Sequence, residues 1–222
     1  MLLNKKYRIH NAPNPDALAQ AQRVGSNMAI IYSIGPCSHL RFDRDPVNGR
    51  LMDEFPIFFD DYPKIATLRH SADAVWLDPF RRRLTGLIDR CDDLGMVPVF
   101  HLYEPQLPLA FETEYPELVG VYKRKTQNGT IDVHTMLDPD KPETWDLVKS
   151  KYRELARDFP KVGMYIITTG DIAGVNWCLP KAKMSVADRL INLVKNARDG
   201  IREFNPKAQV CFRLWWRNFP RE

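Results

Sequence analysis

Hydrophobic and polar positions along this chain alternate between two periods. Short apolar runs predict strands at about Tyr7–His10, Asn27–Ser33, Met96–Leu102, Gly163–Thr169 and Ala208–Trp215, and amphipathic stretches with helical spacing separate them. The helix ends are punctuated. Asn14-Pro15 opens the first helix, with proline at the first helical position, and Gly25 follows its end. Asp78-Pro79 opens the second, whose apolar face is Phe80, Leu84, Leu87, Ile88, Cys91 and Leu94, and Gly95 stops it. For the third, Asp140 and Glu143 fit an N-cap and its reciprocal acceptor; Trp145, Val148, Tyr152, Leu155, Ala156 and Phe159 then recur at helical spacing. The fourth starts at Ser185, with Asp188 placed to cap it reciprocally. Its face is Val186, Leu190, Leu193, Val194, Ala197, Ile201 and Phe204.

Strand–helix alternation predicts an α/β fold built on a parallel sheet, either a (β/α)8 barrel or a doubly wound open sheet. The helix-to-strand connections are short. Three strand-to-helix connections are long, roughly Ile34–Leu77, Tyr103–Pro139 and Gly170–Met184. All three leave the C-terminal ends of strands, the face where both architectures place their sites. An open dinucleotide-binding sheet would carry a glycine fingerprint after its first strand, and here that strand runs into His10-Asn11-Ala12-Pro13. The pattern therefore favours a TIM-barrel-like fold. A full barrel takes eight strands in about 250 residues, so the five units read here predict a partial one.

Composition narrows the class only a little. At 222 residues, 44% hydrophobic and 27% charged, the chain has the apolar content of a globular protein rather than a disordered one. No apolar run is long enough to span a membrane. The N-terminus lacks the apolar segment of a signal peptide, so a cytoplasmic location is the default expectation. Net charge is +4, and the dense basic runs, Arg81-Arg82-Arg83 and Lys123-Arg124-Lys125, sit in no nucleic-acid motif. Nucleic acid and membranes are not expected partners. Cys37, Cys91, Cys178 and Cys211 stand far apart with no metal-ligand spacing; Cys91 and Cys211 fall where a thiol acts as a small hydrophobe. Neither a metal nor another cofactor is expected. Asn128-Gly129 reads as a hairpin turn between arms at Val119–Lys125 and Thr130–Met136, a flap over the site.

Candidate chemistry gathers at the strand ends. One ends His101-Leu102-Tyr103-Glu104, the next Thr168-Thr169-Gly170-Asp171, the last Arg213-Leu214-Trp215-Trp216. Asp171 and Glu104 are the candidate catalytic carboxylates, because groups on neighbouring strand ends can hold separated pKa values for acid and base work. His101, Tyr103, Arg213 and Trp215 are candidate substrate contacts: an imidazole, a cation and aromatic faces for a sugar ring. Each has a structural alternative. Asp171 can cap the next segment, Glu104 can pair with an arginine at the rim, and His101 can be a hydrogen-bonded core residue. Alternation sends one of Trp215 and Trp216 away from the mouth.

The run Leu137-Asp138-Pro139-Asp140-Lys141-Pro142-Glu143-Thr144-Trp145, then Phe159-Pro160 and Tyr165-Ile166-Ile167-Thr168-Thr169-Gly170-Asp171, resembles the third-to-fourth-strand unit of (β/α)8 glycoside hydrolases. It is most similar to the α-glucuronidase-type barrels and less so to the β-hexosaminidases. The likeness covers roughly Leu84 to Trp216, including Gly95-Met96-Val97-Pro98-Val99-Phe100 and Val210-Cys211-Phe212-Arg213. It implies hydrolysis of glycosidic bonds in a carbohydrate substrate, uronic-acid-bearing sugars among them, with Asp171 as the general acid. The chain departs from the pattern in two ways: Ile172, not glutamate, follows Asp171, and the partner carboxylates of the α-glucuronidase pattern lie on strands beyond the fifth. The resemblance thus implies a missing C-terminal half or a homo-oligomer. The rival expectation is a non-catalytic carbohydrate-binding module derived from such a barrel.

Overall fold

In the computed structural model, which describes residues 7–33, 55–72, 74–104, 107–108, 110–125, 131–169 and 182–213, five parallel strands form one sheet. They are β1 (Ile9–Asn11), β2 (Met28–Ser33), β3 (Val97–Glu104), β6 (Met164–Thr169) and β7 (Gln209–Arg213). Helix α1 (Pro15–Arg23) joins β1 to β2, and α2 (Pro63–Ala72) with α3 (Ala74–Asp93) precedes β3. Between β3 and β6 come a one-turn helix α4 (Phe111–Glu114), a hairpin of β4 (Val119–Lys125) and β5 (Ile131–Leu137), and helix α5 (Pro142–Asp158). Helix α6 (Val186–Phe204) leads into β7.

The strands lie side by side in chain order, β1-β2-β3-β6-β7. Parallel neighbours need crossovers, and right-handed crossovers that always advance in one direction put their helices on one face of the sheet. A doubly wound sheet reverses its order and carries helices on both faces. Burial follows the first arrangement. Ala29, Ile31, Phe100, Leu102, Tyr165 and Ile167 belong to the large core shared with α1, α3, α5 and α6. Met28, Val99, Met164 and Ile166, with Ile30 against them, form a separate buried apolar cluster on the opposite face. Among the described residues β1 and β7 are the two edges of this sheet. A five-strand parallel α/β sheet is what the sequence pattern predicts.

Several elements follow their signals closely. Asn14 caps α1 by accepting the Ala17 N–H at 2.9 Å, and Ser185 caps α6 by accepting from Asp188 at 3.1 Å. On α5 the predicted stripe is buried throughout, from Trp145 to Phe159. Helices α5 and α6 pack so closely that a Cβ added to Gly200 would lie 2.2 Å from the Lys149 carbonyl oxygen. The β4–β5 hairpin is antiparallel from Val119↔Leu137 to Lys125↔Ile131, while its expected Asn128-Gly129 turn lies outside the described residues.

Other expectations are corrected. The second helix does not open at Asp78-Pro79; α3 begins at Ala74 and carries Pro79 inside it. Leu77 is fully buried and lies seven residues before Leu84, so the core draws the preceding turn into the same stripe despite the proline. Asp140 does not cap α5, whose N-cap position is Lys141. Its carboxylate instead accepts the backbone N–H groups of Lys183 and Met184 at 2.7 and 2.8 Å, tying the approach to α6 onto the start of α5. Those two bonds hold it below the usual carboxylate range. Phe204, at the end of α6, is 49% exposed, while Arg189 and Gly200 of the same helix are buried. Cys91 is buried and its thiol is pushed up to about 11 by desolvation, whereas Cys211 is exposed.

The long connection before α3 contains α2 and, ahead of it, a pinned irregular stretch. Phe55, Ile57 and Phe59 enter the core, and the polar groups between them are met from three helices. Buried Arg69 donates to the carbonyls of Ile57 and Phe55, and Arg81 donates to that of Pro56. From α5, the Glu154 carboxylate accepts the N–H groups of Phe58, Phe59 and Asp60 at 2.7, 3.2 and 3.0 Å. Phe59 sits at φ +61°, a left-handed conformation held by this ring of anchors.

Candidate functional site

Strand pairing fixes which side chains share the face opposite the described helices. Tyr103 pairs with Thr168, which pairs with Arg213; one step earlier His101 pairs with Ile166 and Ile166 with Cys211. Because side chains alternate, His101, Tyr103, Thr168 and Arg213 all fall on the face away from the helices, at the C-terminal ends of three adjacent strands. His101 Nε2 lies 2.9 Å from Thr168 Oγ1. The imidazole and the Tyr103 ring are 4.7 Å apart, tilted by 42°. Burial and then the positive charge of Arg213 drive the His101 pKa down to about 4. At neutral pH the imidazole is uncharged, so it serves this face as a hydrogen-bonding group. Below the rung lie Val99, Met164 and Ile166, an apolar floor.

Glu104 is placed elsewhere. The residue after Tyr103 must face the opposite way, and its side chain is 2% exposed between the sheet and α5. There Oε1 accepts from Lys151 Nζ at 2.7 Å and from the Tyr152 hydroxyl at 2.8 Å. The Lys151 ammonium also lies 4.9 Å from the centroid of the Phe55 ring. Burial lowers the Lys151 pKa against the opposing pull of Glu104, and burial beside that carboxylate raises Tyr152 well above its ordinary range. Glu104 therefore ties the end of β3 to α5, and the expected pair of carboxylates at one mouth does not include it. The cation it meets here is a buried lysine.

No protein-family model matches this chain, and no curated protein matches it. The chemistry is carried by the residues alone.

Of the six predicted site residues, His101, Tyr103 and Arg213 are brought together and Glu104 is turned away. Asp171 and Trp215 lie outside the described residues; Asp171 follows the end of β6 by two positions and Trp215 the end of β7 by two. Among the described residues no three metal-ligating side chains stand together, and no helix is long and apolar enough to cross a membrane. Thr168 was not singled out as a site residue, although its signal is in the pattern: Met164, Ile166 and Thr168 alternate, and the last of that row is polar. Lys151 had a signal too. It lies three residues after Val148 and four before Leu155, so helical spacing places a cation on the apolar stripe of α5.

Proposed function

We propose that this chain is a glycoside-hydrolase-like protein that holds a glycan at the C-terminal ends of β3, β6 and β7, on the face of its sheet opposite the described helices. The observation that carries the reading is the rung His101–Tyr103–Thr168–Arg213: a neutral imidazole, an aromatic ring, a hydroxyl and a guanidinium converge above an apolar floor. A tyrosine ring offers a face to the C–H side of a sugar, and exposed Arg213 favours an anionic substituent such as a uronate carboxylate, while the buried His101–Thr168 pair backs them. Chain-order strands with helices on one face are the arrangement of a (β/α)8 wall, so a partial barrel is the finer form of the fold we propose. Asp171, next after β6 and Gly170, is the candidate proton donor.

The position of Glu104 favours a second reading, a carbohydrate-binding module without turnover. Glycoside hydrolysis ordinarily uses two carboxyl groups flanking the bond, about 5–5.5 Å apart for retention or 6.5–9.5 Å for inversion. The second of these is not Glu104. One experiment separates the readings: a panel of aryl glycosides and glucuronides is assayed for hydrolysis and, in parallel, for binding. Turnover that Asp171→Asn abolishes supports the hydrolase. Saturable sugar binding that His101→Ala or Arg213→Ala weakens, with no turnover, supports the module. Absence of both turnover and binding overturns the proposal.

A further inference from the structure

A second concavity shares no residue with the His101–Arg213 rung. It is a cleft of about 580 Å3 walled by Tyr62, Tyr115 and Leu118 and edged by the exposed carboxylates Glu117, Glu143 and Asp146. This volume falls in the range of small-molecule sites, roughly 300–1,000 Å3. The aromatic wall is rigidly backed. The Tyr62 and Tyr115 rings meet edge to face at 5.3 Å and 87°, and Phe111 supports both, 5.4 Å from Tyr62 and 5.7 Å from Tyr115. Burial, then the neighbouring charges of Asp61 and Asp146, hold the Tyr62 hydroxyl protonated well above its ordinary range.

The charge around these rings is unbalanced. Glu117, Glu143 and Asp146 form no salt bridge with a described residue, and among the described lining residues Lys141 is the one cation. That ammonium donates to the Glu117 carbonyl, not to a carboxylate. Lys64 behaves alike at the margin: its Nζ donates to the Glu114 carbonyl at 3.1 Å while lying 5.4 Å from the Tyr115 centroid. The described lining thus carries three carboxylates against one ammonium, in a chain whose net charge is +4. The Lys64 ammonium already lies against the Tyr115 ring within the fold, so the ring tolerates a cation beside it.

We propose that the cleft binds a small organic cation, one carrying an alkylammonium or quaternary ammonium group on a compact apolar body. Aromatic faces attract such a cation through their quadrupoles, and an organic ammonium sheds its water more readily than a metal ion does. The three carboxylates raise its local concentration, while an anion is repelled and a neutral molecule gains only the contact with the rings.

The test is a calorimetric titration of the whole chain with choline, and with 3,3-dimethyl-1-butanol, which has the same shape without the charge. Choline is expected to bind saturably and at least about fivefold more tightly than the alcohol, the discrimination a partly exposed cation–π site supplies. Asp146→Asn, an exposed change that leaves the thermal melt in place, is expected to weaken choline about threefold and leave the alcohol unaffected. Tyr115→Leu should weaken both, and choline more. The proposal is overturned if choline does not saturate, if the two probes bind equally, or if choline affinity ignores Asp146→Asn.

Discussion

Replacing Lys151 by methionine isolates the energetics that hold β3 against α5. Lys151 and Glu104 are each 2% exposed and 2.7 Å apart, and the Tyr152 hydroxyl also donates to the same carboxylate oxygen. Methionine nearly matches the lysine in volume and keeps the contact with Phe55, so the main loss is the charge. The Glu104 carboxylate then remains in a dry site with one hydroxyl donor from this pair. Removing one partner of a buried ion pair costs about 3–5 kcal/mol, because the other charge stays desolvated. For a chain of this size each kcal/mol corresponds to roughly 2–4 °C, so the melting temperature should fall by about 6–20 °C. The double variant Glu104→Leu with Lys151→Met removes both charges. It should cost only about 1–3 kcal/mol, chiefly from the Tyr152 hydroxyl left without its acceptor. Guanidinium unfolding of the wild type, both single variants and the double variant measures the coupling directly. The reasoning fails if Lys151→Met costs less than about 1 kcal/mol, or if the double variant costs the sum of the singles.

Two buried titrating groups give the pH dependence of stability opposite slopes. The folded His101 titrates near 4 against an ordinary 6.5, so its contribution is fully present above pH 6.5 and is lost as pH falls toward 4. His101→Gln should flatten that acid-side loss in unfolding curves taken between pH 4 and 6.5; an unchanged slope would mean the imidazole is not held neutral. For Glu154, burial outweighs its three backbone donors and raises the pKa from 4.5 to about 7. Its contribution is present below pH 4.5 and is lost as pH rises through 7, so Glu154→Gln should remove a decline in stability over that window. Gly200→Ala would set a Cβ 2.2 Å from the Lys149 carbonyl oxygen and should destabilise by about 1–3 kcal/mol in the same assay, as α5 and α6 are forced apart.

The strand–helix order was legible because each element carries its own signal: Asn14 and Ser185 cap as their side-chain chemistry requires, and the α5 stripe is buried as its spacing demands. Where two signals compete, the local one loses. Asp78-Pro79 reads as a helix start, yet burying Leu77 on the stripe of Leu84 and Cys91 favours an extra turn before the proline. Asp140 has the spacing of a cap, yet its carboxylate takes two backbone donors from a segment more than forty residues away. No local pattern encodes that distance. The pinned stretch at 55–61 is illegible for the same reason. Its order comes from Arg69, Arg81 and Glu154, three charged residues that in isolation read as solvated helix faces.

The candidate site shows how much depends on the pleat. Tyr103 and Glu104 are neighbours in sequence and both look like residues of a mouth, but a strand cannot aim both at one face. Once His101 and Tyr103 face away from the described helices, strict alternation assigns the same row of β3 to Val97, Val99, His101 and Tyr103. The matching rows of β6 and β7 are Met164, Ile166 and Thr168, and Gln209, Cys211 and Arg213. None of these is a carboxylate. These strand rows carry an imidazole, a hydroxyl and a guanidinium but no acid or base pair, so the proposed donor Asp171 has to come from the segment that follows β6 in sequence. A Glu104 committed to Lys151 belongs to the other face: it fixes the strand end so that the residues on its far side keep their positions.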